Sequence, residues 1–299
     1  MPKREGNYRL GITCAIATYI LWGVFPLYWA LLDNVDAFSI LAQRIVWTLV
    51  FMCLLVGLFR RQAFVANCKR LWADKKRLGL VTLASLLISA NWLIYIWAVN
   101  NNHVLDTSIG YYLNPLVSVL LGVLLFGEYL IMAKRISVGL AAIGIIVLAF
   151  HLGHVPWIAL GLALSFGLYG AVKKKLFIDP FSSITIETLL VSPLALIYLC
   201  FVNPSSWGFY SAAHIETVAL LMGTGVVTAI PLILFSFGAN HLPLNILGFT
   251  QYISPTIAFL LAIFYFKEGL DLVQLGALCC IWAALVIFTV SERFITYRK

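Results

Sequence analysis

Ten apolar stretches, each close to twenty residues long, account for most of the chain: 10–31, 38–59, 78–99, 104–126, 134–151, 156–174, 181–202, 215–237, 244–266 and 271–291. A bilayer hydrocarbon core about 30 Å thick is crossed by about 20 helical residues, so the pattern predicts ten transmembrane helices. Most connections are short, as in "LDNVDAFS" at 32–39 and "HLGHV" at 151–155, and leave no room for a soluble domain. The longest, "RRQAFVANCKRLWADKKRLG" at 60–79, reads as a strongly basic loop. Composition agrees, because 62% of the 299 residues are hydrophobic and 11% charged, too few polar groups to cover a water-soluble domain. The expected fold class is an all-α integral membrane protein. The first apolar run is long, carries several aromatics and lacks a small-residue cleavage site, so it is expected to stay as helix 1 rather than act as a signal peptide.

A formal net charge of +8 would suggest a nucleic-acid partner for a soluble protein, but in a membrane protein the charges must be read by position. With the amino terminus placed inside and ten helices following, eighteen of the twenty Lys and Arg fall on the inner side. These include seven between Arg60 and Arg77 and the run Lys173, Lys174, Lys175. Lys267 alone lies outside, and Arg44 lies within a span. Basic residues collect on the cytoplasmic side, which predicts a multi-pass protein of the cell inner (plasma) membrane with both termini cytoplasmic and no nucleic-acid partner. Cys14, Cys53, Cys200, Cys279 and Cys280 sit in apolar runs, and Cys68 in the basic loop, without disulfide or metal-ligand spacing. His103, His151, His154 and His214 stand at loop spacing, so neither a metal site nor a cofactor is expected.

Two segments repeat at a fixed offset of 140 residues: "YYLNPLVSVLLGVLLFGE" at 111–128 and "QYISPTIAFLLAIFYFKE" at 251–268. Asn100 falls on Asn240, Tyr112 on Tyr252, Pro115 on Pro255, Phe126 on Phe266 and Glu128 on Glu268, with no gap. Apolar matches arise by chance in membrane helices; ungapped polar, proline and glutamate matches do so far less often. The chain therefore divides into related halves, 10–150 and 156–292. Each holds five spans, an odd number, so the second enters the membrane from the opposite side and the repeat is inverted. Inverted repeats with a site at their interface are a transporter architecture, since two near-equivalent packings can open the site to alternate faces.

The segments "NWLIYIWAVNNNHVLDTSIGYYLNPLVSVLLGVLLFGE" at 91–128 and "YISPTIAFLLAIFYFKEGLDLVQLGALCCIWAALVIF" at 252–288 resemble corresponding parts of the two repeats of the EamA branch of the drug/metabolite transporter superfamily. "LAQRIVWTLV" at 41–50 is similar to that family's arginine-bearing second helix, and Tyr-Tyr-Leu-Asn-Pro at 111–115 looks closest to its RarD group. The resemblance spans nearly the whole chain and implies a ten-helix carrier that exports small metabolites or drug-like solutes. Pro26 inside helix 1, and Lys267 where the first half has glycine before its glutamate, depart from the family pattern.

Pro115 and Pro255 each lie about 16 Å into their helices and each removes one backbone hydrogen bond, freeing the carbonyl of Tyr111 or Gln251. That carbonyl needs a neighbouring donor, cavity water or ligand. A kink satisfied by an adjacent helix and a hinge or cavity wall are both consistent with the pair. Glu128 and Glu268 fall a further 20 Å or so along, at opposite faces, and each precedes a new helix whose N-terminal dipole suits a carboxylate. Arg44, six residues inside helix 2 beside Gln43, is the strongest single candidate, because an ionised residue in a span is costly. It is expected to bind an anionic or carbonyl group of the substrate or to pair with Glu187 or Asp106, with snorkelling as the alternative. Candidate substrate-binding residues are Arg44, Gln43, Trp22, Tyr95, Tyr112, Asn114, Tyr169, Gln251 and Tyr252. Glu187 and Asp106 are the candidate coupling residues for a proton.

The function expected is a carrier working by alternating access on a small-molecule substrate, in the lipid bilayer, as a monomer or homodimer. A membrane-embedded enzyme would need clustered His, Asp, Glu, Cys or Ser on neighbouring spans, which the sequence lacks. A sensor would more often append a soluble output domain.

Overall fold

The computed structural model describes residues 2–32, 35–101, 103–152, 157–203, 215–267 and 272–296. Helix α1 (Pro2–Trp29) closes in a 3-10 turn, α2 (Ala37–Leu55) runs on through a π-helical turn at Val56–Arg60, and α3 (Arg61–Ala73) follows directly. Next come α4 (Lys75–Asn100), α5 (Val104–Phe126), α6 (Met132–Leu152) and α7 (Trp157–Leu176). Then α8 (Pro180–Ile197) also ends in a π turn at Tyr198–Val202, and α9 (Ile215–His241), α10 (Leu244–Thr250), α11 (Ile253–Phe264) and α12 (Leu272–Thr296) complete the chain. No strand occurs among the described residues. Every backbone polar group in hydrocarbon must bond within its own segment, and helices are how this chain meets that demand.

Eight helical stretches among the described residues are long and apolar enough to cross a membrane. Helix α7 is 20 residues long with Lys173, Lys174 and Lys175 in its last turn, and α12 contains the 17-residue apolar segment Leu275–Ser291. The surface is apolar as well: Phe150, Phe201, Leu58 and Phe59 are 74% exposed or more, which suits lipid and not water.

Helices α2 and α8 begin by the same device. Asp36 accepts the N–H of Ser39 at 2.9 Å, and Asp179, followed by Pro180 at the first helical position, accepts that of Ser182 at 3.0 Å. Such a cap is worth about 1 kcal/mol. Helix α5 ends where Gly127 takes a left-handed conformation, φ 61°, a turn that a side chain would strain.

The helices pack in a pattern that survives exchange of the first five long helices for the last five. Helix α1 packs on α9 as α7 does on α4, α1 on α11 as α7 on α5, and α2 on α9 as α8 on α4. The pairs α6–α12, α5–α10 and α2–α8 map onto themselves. At the α2–α9 crossing Gly225 lies against the main chain of Trp47, where a Cβ would collide with backbone. Gly225→Leu is therefore expected to lower stability by at least the 1–3 kcal/mol typical of overpacking. Gly276→Leu, at a position with nothing within 4 Å, should melt like the wild type. Thermal melts of the two purified variants in detergent check the difference.

Two elements differ from the sequence expectation. The segment 60–79 is not a loop: Arg61–Ala73 is helical, and its Phe64, Cys68 and Leu71, spaced at i, i+4 and i+7, pack with Val81, Leu176, Ile178 and Ile186. Dense charge on the other face lowers the mean hydropathy and hides that stripe. The span 244–266 is also not one helix, since Pro255 breaks it into α10 and α11 at Gln251–Tyr252. The carbonyl of Gln251 accepts the N–H of Ser254 at 3.1 Å, so the turn itself satisfies the group that the proline frees. Pro115 leaves α5 unbroken. Glu268, His154, His214, Arg298 and Lys299 lie outside the described residues.

Candidate functional site

A cavity of about 210 Å³ opens in the half of the bundle away from the termini. Its walls follow helical period. Helix α1 presents Tyr19, Trp22, Pro26 and Trp29, three or four residues apart, and α4 presents Ile88, the adjacent Asn91 and Trp92, and Tyr95, each set on one face. Tyr111 and Asn114 come from α5, Phe166 from α7 and Leu232 from α9, while the α10–α11 break supplies Gln251, Ser254, Pro255 and Ala258. Gln251 and Ser254, at the break, bring polar side chains to the cavity wall.

Arg44 is the only charged side chain lining this cavity among the described residues. Its Nε donates to Thr228 Oγ1 at 2.7 Å, and its guanidinium carbon sits 4.3 Å from the Trp92 ring centroid and 5.5 Å from that of Trp29. Two indole faces and one hydroxyl thus hold the cation. The expected pairing with Glu187 or Asp106 is not formed. Trp92 stands between Arg44 and Glu187, lining the cavity on one side and a void of about 10 Å³ beside Glu187 on the other. Asp106, near the start of α5, faces His103 Nδ1 at 3.3 Å.

Below the cavity, toward the face that carries the termini, the bundle is sealed in layers. Trp22, Phe166, Phe235 and Tyr169 form a contiguous aromatic floor, Tyr169 stacking on Phe235 at 5.7 Å between centroids. One turn further along α7, buried Lys173 meets Glu187 Oε1 at 2.6 Å. Ser183, one turn before Glu187 on α8, donates to the same oxygen at 2.6 Å, and Tyr169 donates its hydroxyl to Oε2 at 3.0 Å. The carboxylate is thus ion-paired and hydrogen-bonded on both oxygens, the condition under which a buried charge pair is tolerable.

Glu128 forms a second seal at the same end. Its carboxylate accepts the N–H groups of Leu244 and Asn245 at 2.6 and 2.8 Å and pairs with Lys174 at 2.7 Å, while Lys174 also donates to the carbonyl of Leu242. The dipole argument for Glu128 holds, but for a different helix. It caps α10 in the other half of the chain, not α6, which follows it in sequence.

Of the residues expected at the site, Arg44, Trp22, Tyr95, Asn114, Gln251 and Pro255 line the cavity. Gln43 is buried and not among the lining residues. Tyr112 is buried and donates its hydroxyl to the carbonyl of Pro255 at 3.3 Å, Tyr252 is fully buried behind the break, and Tyr169 lies in the floor. The carbonyl of Pro115 faces Gly248 at the α5–α10 crossing, away from the cavity. Trp29, Trp92, Asn91 and Thr228 were not foreseen. The first three carry a readable signal, because they recur one turn from Trp22, Pro26 or Tyr95; Thr228 carries none.

Apolar helices around an aromatic cavity with one cation are the form of a membrane carrier, and the chain belongs to the EamA-like transporter family, whose model matches residues 9–150. Within that family it falls in the RarD group. It is 40% identical over 287 residues to Protein RarD of Streptomyces exfoliatus, covering 96% of this chain and 90% of that one. It is also 44% identical over 294 residues to the uncharacterized transporter YojE of Bacillus subtilis, covering 97% and 96%. A solved crystal structure of a protein shares the fold, with a TM-score of 0.69 at 17% identity over 97% of this chain and 99% of that one.

Proposed function

We propose that the chain is a secondary transporter that moves small amphipathic metabolites or drug-like solutes by alternating access across the cell inner membrane, in the direction of export. One observation carries the reading: a cavity within the apolar bundle, lined by aromatics and, among the described residues, a single cation, is sealed toward the termini by the Lys173–Glu187 and Glu128–Lys174 layers. A carrier needs such a site with a barrier on one side at a time. The side-biased basic residues support cytoplasmic termini, so the sealed face is the cytoplasmic one. Export then runs from the sealed side, and the seals must open to load the cavity. The relatives named as transporters favour a carrier over an enzyme, and because one chain supplies the whole cavity, a monomer or a homodimer would house it equally well.

Two halves, 10–150 and 156–292, related by inversion, are part of the proposal. The exchange-symmetric packing supports them, as do features offset by about 143 residues: the Asp36–Ser39 and Asp179–Ser182 caps and the π turns ending α2 and α8. On that register Arg44 and Glu187 are equivalent positions.

Proteoliposomes holding the purified chain are expected to show protein-dependent counterflow of at least one solute among amino acids, nucleosides and chloramphenicol-like drugs. Absence of flux from protein that still melts cooperatively would overturn the reading. Proton coupling runs through Glu187, the acid between the cavity and the sealed face, with Asp106 as the second candidate at the far end. An imposed pH gradient is expected to change the initial rate. Glu187→Gln should remove that dependence, and flux indifferent to the gradient would exclude coupling.

A further inference from the structure

We infer that the cavity selects a solute with one negative charge on an apolar, ring-compatible body, and that Arg44 is its counter-ion. The inference rests on the transporter reading only for why a cavity exists. Inside the bundle the charges of Lys173, Glu187, Glu128 and Lys174 neutralise one another. Arg44 is different. Its partners are the Thr228 hydroxyl and two indole rings, with the neutral phenols of Tyr95 and Tyr111 nearby, and no carboxylate of a described residue pairs with it. A cation held at membrane depth without a counter-ion is the arrangement that an anionic ligand completes.

The geometry also suits that ligand. Nε is spent on Thr228, and stacking on Trp92 occupies a face of the guanidinium, which leaves the Nη fork at its edge. A planar fork matches a carboxylate through two parallel hydrogen bonds. Much of the remaining wall is flat rings, Trp22, Trp29, Trp92 and Phe166 among them, on which an apolar or aromatic body can lie. The side-chain oxygen of Asn114, a lining residue 2% exposed, has no hydrogen-bond partner among the described residues. At about 210 Å³ the cavity holds roughly seven waters' share of liquid volume, at about 30 Å³ each, which suits a one- or two-ring acid. One cation does not neutralise a di- or triphosphate, and it repels an amine.

The test uses the purified full chain in neutral detergent and reads binding, not transport. Calorimetry and thermal shift compare phenylacetate, phenylacetamide and phenethylamine, then indole-3-acetate with its amide and amine, then acetate. Each ring-bearing anion is expected to bind at least tenfold more tightly than its amide and than acetate, and the amines should give no shift. Arg44→Gln should bring the anions to the level of the amides, and a cooperative melt of the unliganded variant reports that it is folded. The wild-type comparison stands without the variant. Anions binding no better than their amides, acetate matching phenylacetate, or amines binding best would each overturn the inference. If the anions bind but never cross a proteoliposome membrane, the transporter reading fails and the site stands. If uncharged solutes are carried with no preference for anions, the site fails and the transporter reading stands.

Discussion

Arg44→Ala is expected to abolish flux without unfolding the protein. The guanidinium is the one charge lining the cavity among the described residues, and hydrogen bonds to a charged group contribute roughly 1.5–3 kcal/mol each, so losing two to the solute amounts to a hundredfold or more. Stability should change little. The substitution forfeits packing against Trp92 and Trp29 but also removes a cation that no described carboxylate neutralises. Arg44→Lys keeps the charge and loses the fork and the Thr228 bond, so an intermediate rate is expected. Initial rates in proteoliposomes, set beside melting midpoints of the same preparations, check both halves of the claim. Wild-type flux from Arg44→Ala would remove the residue from the site.

Lys173→Met should have the largest effect on stability. It leaves the Glu187 carboxylate buried, with only Ser183 and Tyr169 to hold it. Breaking one member of a buried pair costs about 3–5 kcal/mol, a drop of the order of 10 °C in melting midpoint for a chain of this size. Replacing both partners, as in Lys173→Met with Glu187→Met, should recover most of that loss, because two apolar side chains leave no unpaired charge. The double variant also separates the seal from the coupling role, since its flux should no longer respond to a pH gradient. A single variant that melts like the wild type would show that the pair does not hold the floor closed.

What could be read from the sequence followed the length scale of each interaction. Helix count and class were visible because about twenty consecutive residues report on one property. Arg44 stood out because ionised residues in spans are rare, yet its surroundings did not, since Trp29, Trp92 and Thr228 come from three other helices. Glu128 was legible as a partner for a helix N-terminus, but the helix it caps begins 116 residues away and nothing local distinguishes it from α6. Helix α3 was lost because the charges around Phe64, Cys68 and Leu71 outweigh them in any average. Pro115 and Pro255 looked equivalent, and only one breaks its helix. A proline removes a hydrogen bond wherever it sits, but whether the helix bends or parts depends on what neighbouring helices supply.

On the proposed inverted register, Arg44 and Glu187 would take matching places in α2 and α8, one basic and the other acidic. Were the halves identical, swapping their conformations would offer a bound molecule the same surroundings at either membrane face, and its affinity would be the same on both. The reversed charge breaks that equality. If the proposed halves exchange conformations, the Arg44 side offers an anion a cation free of any described carboxylate, whereas the Glu187 side offers only a carboxylate already neutralised by Lys173, so a bound anion would find its counter-ion from one face alone.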